Sequence, residues 1–146
     1  MSNLMDRMGV HVADLQVLYV KLHNYHWHVK GPQFRSIHEY TEALYDEVTG
    51  FYDDVAERML MLGAKPPVTM KEYLTLTNIK EEPLQEFTVA QVLEGVKSDL
   101  TYLLGELKQT RVLAADQNDA GTDGLLTDII SSLEKHLWMI GASLKA

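Results

Sequence analysis

The sequence predicts an all-α fold: a four-helix bundle with a short extra helix in the long crossover between its second and third long helices. Three observations carry that expectation. Apolar residues recur at helical spacing over four long stretches. Patterns of the capping-box form, Ser or Thr followed three residues later by Glu or Gln, stand before three of the expected helices. Three of the four prolines, Pro66, Pro67 and Pro83, fall in one middle segment. No stretch alternates with period two for long enough to compete as a strand.

From Leu4 the apolar residues follow a seven-residue repeat, with Met8, Leu15, Leu22 and Val29 on one row and Leu4 and Leu18 on the next. That is one buried stripe on a long helix. Gly31-Pro32 ends it, because proline disfavours helical geometry at the residue before it. Ser36-Ile37-His38-Glu39 reads as a capping box, so a second helix is expected from there, with Ile37, Leu44, Val48, Phe51, Val55, Met59 and Leu62 facing inward until Gly63. Thr69-Met70-Lys71-Glu72 opens a short helix, Met70–Leu76. Thr88-Val89-Ala90-Gln91 opens the third long helix, with Val89, Val92, Val96, Leu100, Leu103 and Leu107 inside. A fourth is expected from about Thr122 to Leu144, on Leu126, Ile129, Leu133, Leu137 and Ile140, with Asp116–Gly124 as a polar turn before it. The segment from Gly63 to Phe87 is long enough to cross the bundle and let the second and third long helices run parallel.

A chain of 146 residues is one domain, 1–146. It contains no cysteine, which excludes disulfide scaffolds, thiolate zinc sites, iron–sulfur clusters and cysteine nucleophiles. No apolar run reaches the length of a membrane span and no basic-then-apolar leader opens the chain, so the expectation is a cytoplasmic protein. The net charge of −8 and the absence of a polybasic arm argue against a phosphate backbone as partner and in favour of cations.

The densest group of metal-capable side chains is His23, His26, His28, His38, Glu42, Asp53 and Glu57. On the second helix, taking His38 as zero, Glu42 falls near 40°, Asp53 near 60° and Glu57 near 100° at about 100° per residue. All four lie on one flank, beside the apolar stripe. No lysine or arginine occurs between Arg35 and Arg58, although seven acidic residues do, so this helix lacks its usual cationic partners. Glu42 and Asp53 stand about 16 Å apart along a helix, too far to share one ion within one chain. Their positions are nevertheless symmetric about residues 47 and 48. A two-fold axis there, with the helix antiparallel to its copy, sets His38 against Glu57 of a second protomer and Glu42 against Asp53, making two identical sites. Tyr45, Thr49, Tyr52 and Ala56 on the same flank suit helix–helix contact. Imidazole with carboxylates suits iron, zinc or manganese. The Glu-x-x-His pair of an intrasubunit di-iron centre and the H-E-x-x-H of a zinc protease are both absent.

The stretch His23-Asn24-Tyr25-His26-Trp27-His28-Val29-Lys30-Gly31-Pro32-Gln33-Phe34 resembles the H-x-x-H-W-x-x-x-G-x-x-F signature of the Dps family, the twelve-subunit mini-ferritins. His38-Glu39 and Asp53-Asp54-Val55-Ala56-Glu57-Arg58 are similar to its second motif, and the likeness extends to Lys135-His136-Leu137-Trp138-Met139. The resemblance implies a ferritin-like bundle and a ferroxidase site between subunits. It would take His26 and His38 from one chain, and Asp53 and Glu57 from the other. The fifth family position is usually aspartate and is Glu42 here, a side chain one methylene longer. The resemblance further implies oxidation of Fe(II) to Fe(III), often by hydrogen peroxide, and storage of the product in a hollow homododecamer that protects against oxidative damage. Zinc is a second ion for the same donors. Trp27 is an electron donor or radical trap in this reading, and an aromatic packed at a helix end in the plainer one. Asp119, Asp123 and Asp128 are candidates for acidic entry pores, although helix N-terminal acids account for the first two. His11 on the apolar stripe is expected as a hydrogen-bonded core residue, His136 as structural, and His23 and His28 as flanking the site. Tyr25, Tyr45 and Tyr52 are expected at core or interface. DNA is not an expected partner in the absence of a basic tail. Two alternatives remain: a non-catalytic oligomer that holds metal, and a DNA-compacting oligomer with little ferroxidase activity.

Overall fold

The four apolar stripes form four long helices, seen in a computed structural model that describes residues 2–145. The elements are α1 (Ser2–His28), β1 (Val29–Lys30), α2 (Phe34–Met61), α3 (Met70–Leu76), β2 (Phe87–Thr88), α4 (Val89–Asp116) and α5 (Ala120–Leu144). The family-type bundle with a short crossover helix is thus the observed architecture. Leu4, Met8, Leu15, Leu18 and Leu22 of α1 are fully buried against Leu44 and Val48 of α2, Leu100, Leu103 and Leu107 of α4, and Leu126 and Leu133 of α5. Each such side chain contributes about 1.5–3 kcal/mol by leaving water.

Directions follow from a few contacts. β1 and β2 pair in parallel, Val29 beside Phe87 and Lys30 beside Thr88; β2 runs directly into α4, and β1 leads into α2 through the turn at residues 31–33. α2 and α4 therefore start at the same end and run parallel, as a crossover connection requires. Arg7 hydrogen-bonds Thr110 and Glu106, and Lys21 pairs with Asp99 at 2.8 Å, so α1 and α4 are antiparallel. The Tyr40 hydroxyl meets His136 and Arg58 meets Asp119, so α2 and α5 are antiparallel as well. Among the described residues no helix is long and apolar enough to cross a membrane.

Local signals succeeded or failed for identifiable reasons. Thr69 accepts from the Glu72 backbone N–H at 3.2 Å, and Thr88 with Gln91 forms a complete capping box. The Ser36 box does not form. α2 begins two residues earlier, at Phe34, behind Gln33, whose side chain makes no cap. The turn after Gly31, which has φ of 125°, ties the Phe34 N–H to the Gly31 carbonyl at 3.0 Å and runs directly into the helix, so its first turn is set before Ser36 is reached. The polar turn before the last helix is also shorter than Asp116–Gly124. Asn118 takes the left-handed conformation (φ 57°), the Asp119 N–H returns to the Ala114 carbonyl at 2.9 Å, and Asp119 caps α5. Gly121 and Gly124 lie inside the helix. The β1–β2 ladder, only two residues long, was beyond any alternation signal.

His11 is buried between α1 and α4. Thr110 Oγ1 donates to the Glu106 carbonyl, so it accepts from His11 Nε2 at 2.7 Å and from Arg7 Nε at 2.9 Å. Burial first, and the nearby Arg7 charge second, push the imidazole down to about 3. A lowered histidine contributes stability that is whole above its unfolded value near 6.5 and is lost as pH falls from there toward 3. Thermal unfolding as a function of pH should therefore show a loss of about 1.4 kcal/mol per pH unit below 6.5, and the His11→Gln variant should lack that component.

Candidate metal centre

The end of α1 and the start of α2 are joined by two crossed hydrogen bonds. His26 Nδ1 donates to the His38 carbonyl at 2.7 Å, and His38 Nδ1 donates to the His26 carbonyl at 2.8 Å. His26 lies in the last turn of α1, where backbone carbonyls lack helical partners, so the His38 ring satisfies a group the helix leaves open. The two rings stack with centroids 3.6 Å apart and planes 13° from parallel. Phe34, one turn before His38, stacks with the His38 ring at 5.0 Å. Thr41 Oγ1 lies 3.2 Å from His26 Nδ1 and donates to the backbone of Ile37 and His38.

With both Nδ1 atoms donating to carbonyls, Nε2 is the nitrogen each ring has left for another partner. This is the arrangement that prepares an imidazole as a metal ligand. His26 is buried, and burial is the largest influence lowering its basicity, which keeps the ring neutral. Glu42 Oε1 stands 3.8 Å from His26 Nε2, too long for a hydrogen bond and suited to two ligands flanking one ion. His26, His38 and Glu42 offer donor atoms within 4.8 Å of one another.

A second group forms farther along α2, where Asp53, Asp54 and Glu57 bring carboxylate oxygens within the same 4.8 Å. All three are exposed. None takes part in an ion pair with Lys, Arg or His among the described residues. The two groups remain separate within the protomer, as the helix length demanded.

A ferritin-like domain model of the Ferritin family matches residues 7–146. The chain is 51% identical over 141 residues to antigen TpF1 of Treponema pallidum strain Nichols, covering 97% of this chain and 80% of that protein. The crystal structure of TpF1 superimposes with a TM-score of 0.98 over 99% of this chain and 93% of the other, at 50% identity. DNA protection during starvation protein 2 of Bacillus anthracis is 43% identical over 98% of this chain and 97% of its own length. The chain belongs to the Dps family. A Dps protein from Vibrio cholerae O1, described as a member of the ferritin-like diiron-carboxylate superfamily, has a TM-score of 0.95 at 30% identity, covering 99% of this chain and 90% of that one.

In this Dps-family chain the other sequence candidates sit as follows. Trp27 is 63% exposed, with its ring 5.5 Å from that of His23. The same His23 ring lies 6.5 Å from that of His26. His23 gives Nδ1 to the Tyr19 carbonyl and stacks on Tyr45 at 3.8 Å. Tyr45 lies edge-on to His26 at 5.3 Å. His28 bonds Asn24, and His136 bridges Tyr40 and Glu47. Asp119 and Asp123 are engaged by Arg58 and Arg111, while Asp128 is exposed. The sequence reading missed Asp54 as part of the carboxylate group. Its position one residue after Asp53 was the available signal.

Solid-state 15N NMR of histidine-labelled protein should find His26 and His38 both in the Nδ1–H tautomer. An unprotonated Nδ1 in either ring would contradict the crossed bonds.

Proposed function

We propose that the chain is an iron-storing ferroxidase. The observation that carries this reading is the split of its donor atoms into an imidazole group and a carboxylate group at opposite ends of α2. Each half alone is a poor site. An antiparallel pairing of α2 with its copy would bring His26, His38 and Glu42 of one protomer to Asp53 and Glu57 of the other, twice per dimer. Six such dimers would make the closed shell of twelve protomers. The relatives support the wider setting, since the Vibrio cholerae protein is described as a ferritin-like diiron-carboxylate protein and the Bacillus anthracis one as a DNA protection during starvation protein.

In this reading Fe(II) and hydrogen peroxide are the substrates. Two Fe(II) ions each give up one electron, and peroxide takes both electrons and two protons to become two waters, so no hydroxyl radical is released. Neutral imidazoles suit Fe(II), and the carboxylates compensate the charge gained on oxidation. The reciprocal carbonyl bonds hold both histidines ready, so no ring reorientation precedes binding. Trp27 would serve as a reserve electron source through His23. The product would be mineralised inside the shell. The same donors would hold Zn(II) without turnover. The setting is cytoplasmic, and with a net charge of −8 the surface does not favour DNA.

Complementation tests the shared site directly. Asp53→Ala and His38→Ala proteins should each lose peroxide-driven Fe(II) oxidation. Unfolded together and refolded as mixed dimers, they should regain about one quarter of the wild-type sites, because half of the dimers are mixed and each mixed dimer has one intact site of two. No regain would rule out ligands from two chains. By size exclusion, twelve protomers of 16.6 kDa should elute at about 200 kDa.

A further inference from the structure

Arg58 follows the carboxylate group on α2 and is the first cation after a long acidic run. Its default partner is Asp54, four residues earlier, the spacing and order that favour an ion pair along a helix. The structure sends it elsewhere. Arg58 donates through one terminal nitrogen to Oδ1 of Asp119, the α5 cap, at 2.7 Å and through Nε to Thr122 Oγ1 in the first turn of α5 at 3.0 Å. Asp119 is fixed in turn, accepting from the Thr122 backbone N–H at 3.1 Å and from its hydroxyl at 2.6 Å. The guanidinium lies flat over Gly121, where a Cβ would stand within 2.5–2.7 Å of its three terminal atoms. Only glycine leaves that space. As a result Asp53, Asp54 and Glu57 crowd their oxygens within 4.8 Å without the cation their own helix supplies next door.

We infer that Asp119, with Gly121, is a positioning device for the metal centre: it holds Arg58 away from the carboxylates and so keeps them free to receive a metal cation. The inference rests on the proposed function, and it identifies Arg58 as the internal competitor of the metal. Released from Asp119, Arg58 would turn to Asp54 and occupy the half-site with its own charge. Asp119 and Gly121 touch no ligand. They act through Arg58 alone.

The test is Co(II) binding to the iron-free assembled protein, followed by calorimetry and by the visible spectrum of the bound ion. Wild type should bind and Asp53→Ala should lose binding; absence of that pair of results would overturn the proposed function and this inference with it. Given that pair, Asp119→Asn should weaken Co(II) binding about three- to five-fold, the scale of one exposed ion pair. The double variant Asp119→Asn with Arg58→Gln should restore it, because the competing charge is gone. Gly121→Ala displaces Arg58 while keeping the Asp119 cap and raising helix propensity, so a similar weakening there cannot come from a lost cap or a weakened helix. Unchanged affinity in both Asp119→Asn and Gly121→Ala, or a double variant as weak as Asp119→Asn alone, would overturn the inference while leaving the proposed function standing.

Discussion

The exchange of two hydrogen bonds between the histidines at the α1–α2 corner is the constraint on which the site depends. Each ring closes a bond to the other's backbone, so neither can rotate without stranding a carbonyl and its own N–H. The corner and the chemistry are thereby one object. The turn through Gly31 sets the start of α2, the start of α2 sets the depth of His38, and the stacked pair then stands beside Glu42. An ion taken by these rings would find their rotamers already fixed by folding.

The far end of α2 obeys the opposite logic. There the carboxylates are exposed and crowded, and nothing on their own helix relieves them. Such a group would be suited to a positive charge arriving from outside the protomer. The cap of α5 contributes from a distance by occupying Arg58. Burial alone would raise the Asp119 carboxyl, but hydrogen bonds from Thr122 and the Arg58 charge outweigh it and hold the group below its ordinary range. A residue that reads as a helix cap is thus also an electrostatic partner of a cation adjoining the half-site.

Much of this was legible in the sequence, for reasons that can be stated. Rows such as Met8, Leu15 and Leu22 are forced by the helical period, and the caps at Thr69 and Thr88 are local chemistry that tertiary packing did not disturb. The flank holding His38, Glu42, Asp53 and Glu57 followed from angles alone, and their inability to meet within one protomer followed from rise per residue. Ser36 misled because α2 already starts at Phe34, so the Glu39 N–H that its side chain would have served lies inside the helix. The glycines at 121 and 124 read as turn residues, yet one is in the helix to make room for Arg58. The crossed histidine bonds were invisible, since a backbone carbonyl leaves no mark on sequence. Arg58 was hidden for a related reason: its nearest acid along the chain is not the one it chooses.

The seam between α1 and α4 has a consequence for how the chain reaches this state. Residues of α1 and α2, or of α4 and α5, meet across connections of a few residues and form two helical hairpins locally. The contacts that join the hairpins are of another kind. Arg7 to Thr110 and Tyr102 to Asp14 span 103 and 88 residues, and the Tyr25 hydroxyl must seat against Gly95. Closing so long a loop costs entropy before any bond is gained, and several of the groups brought together are polar and must find their partners as water leaves. The polar contacts of this seam therefore give the bundle its most non-local pairings.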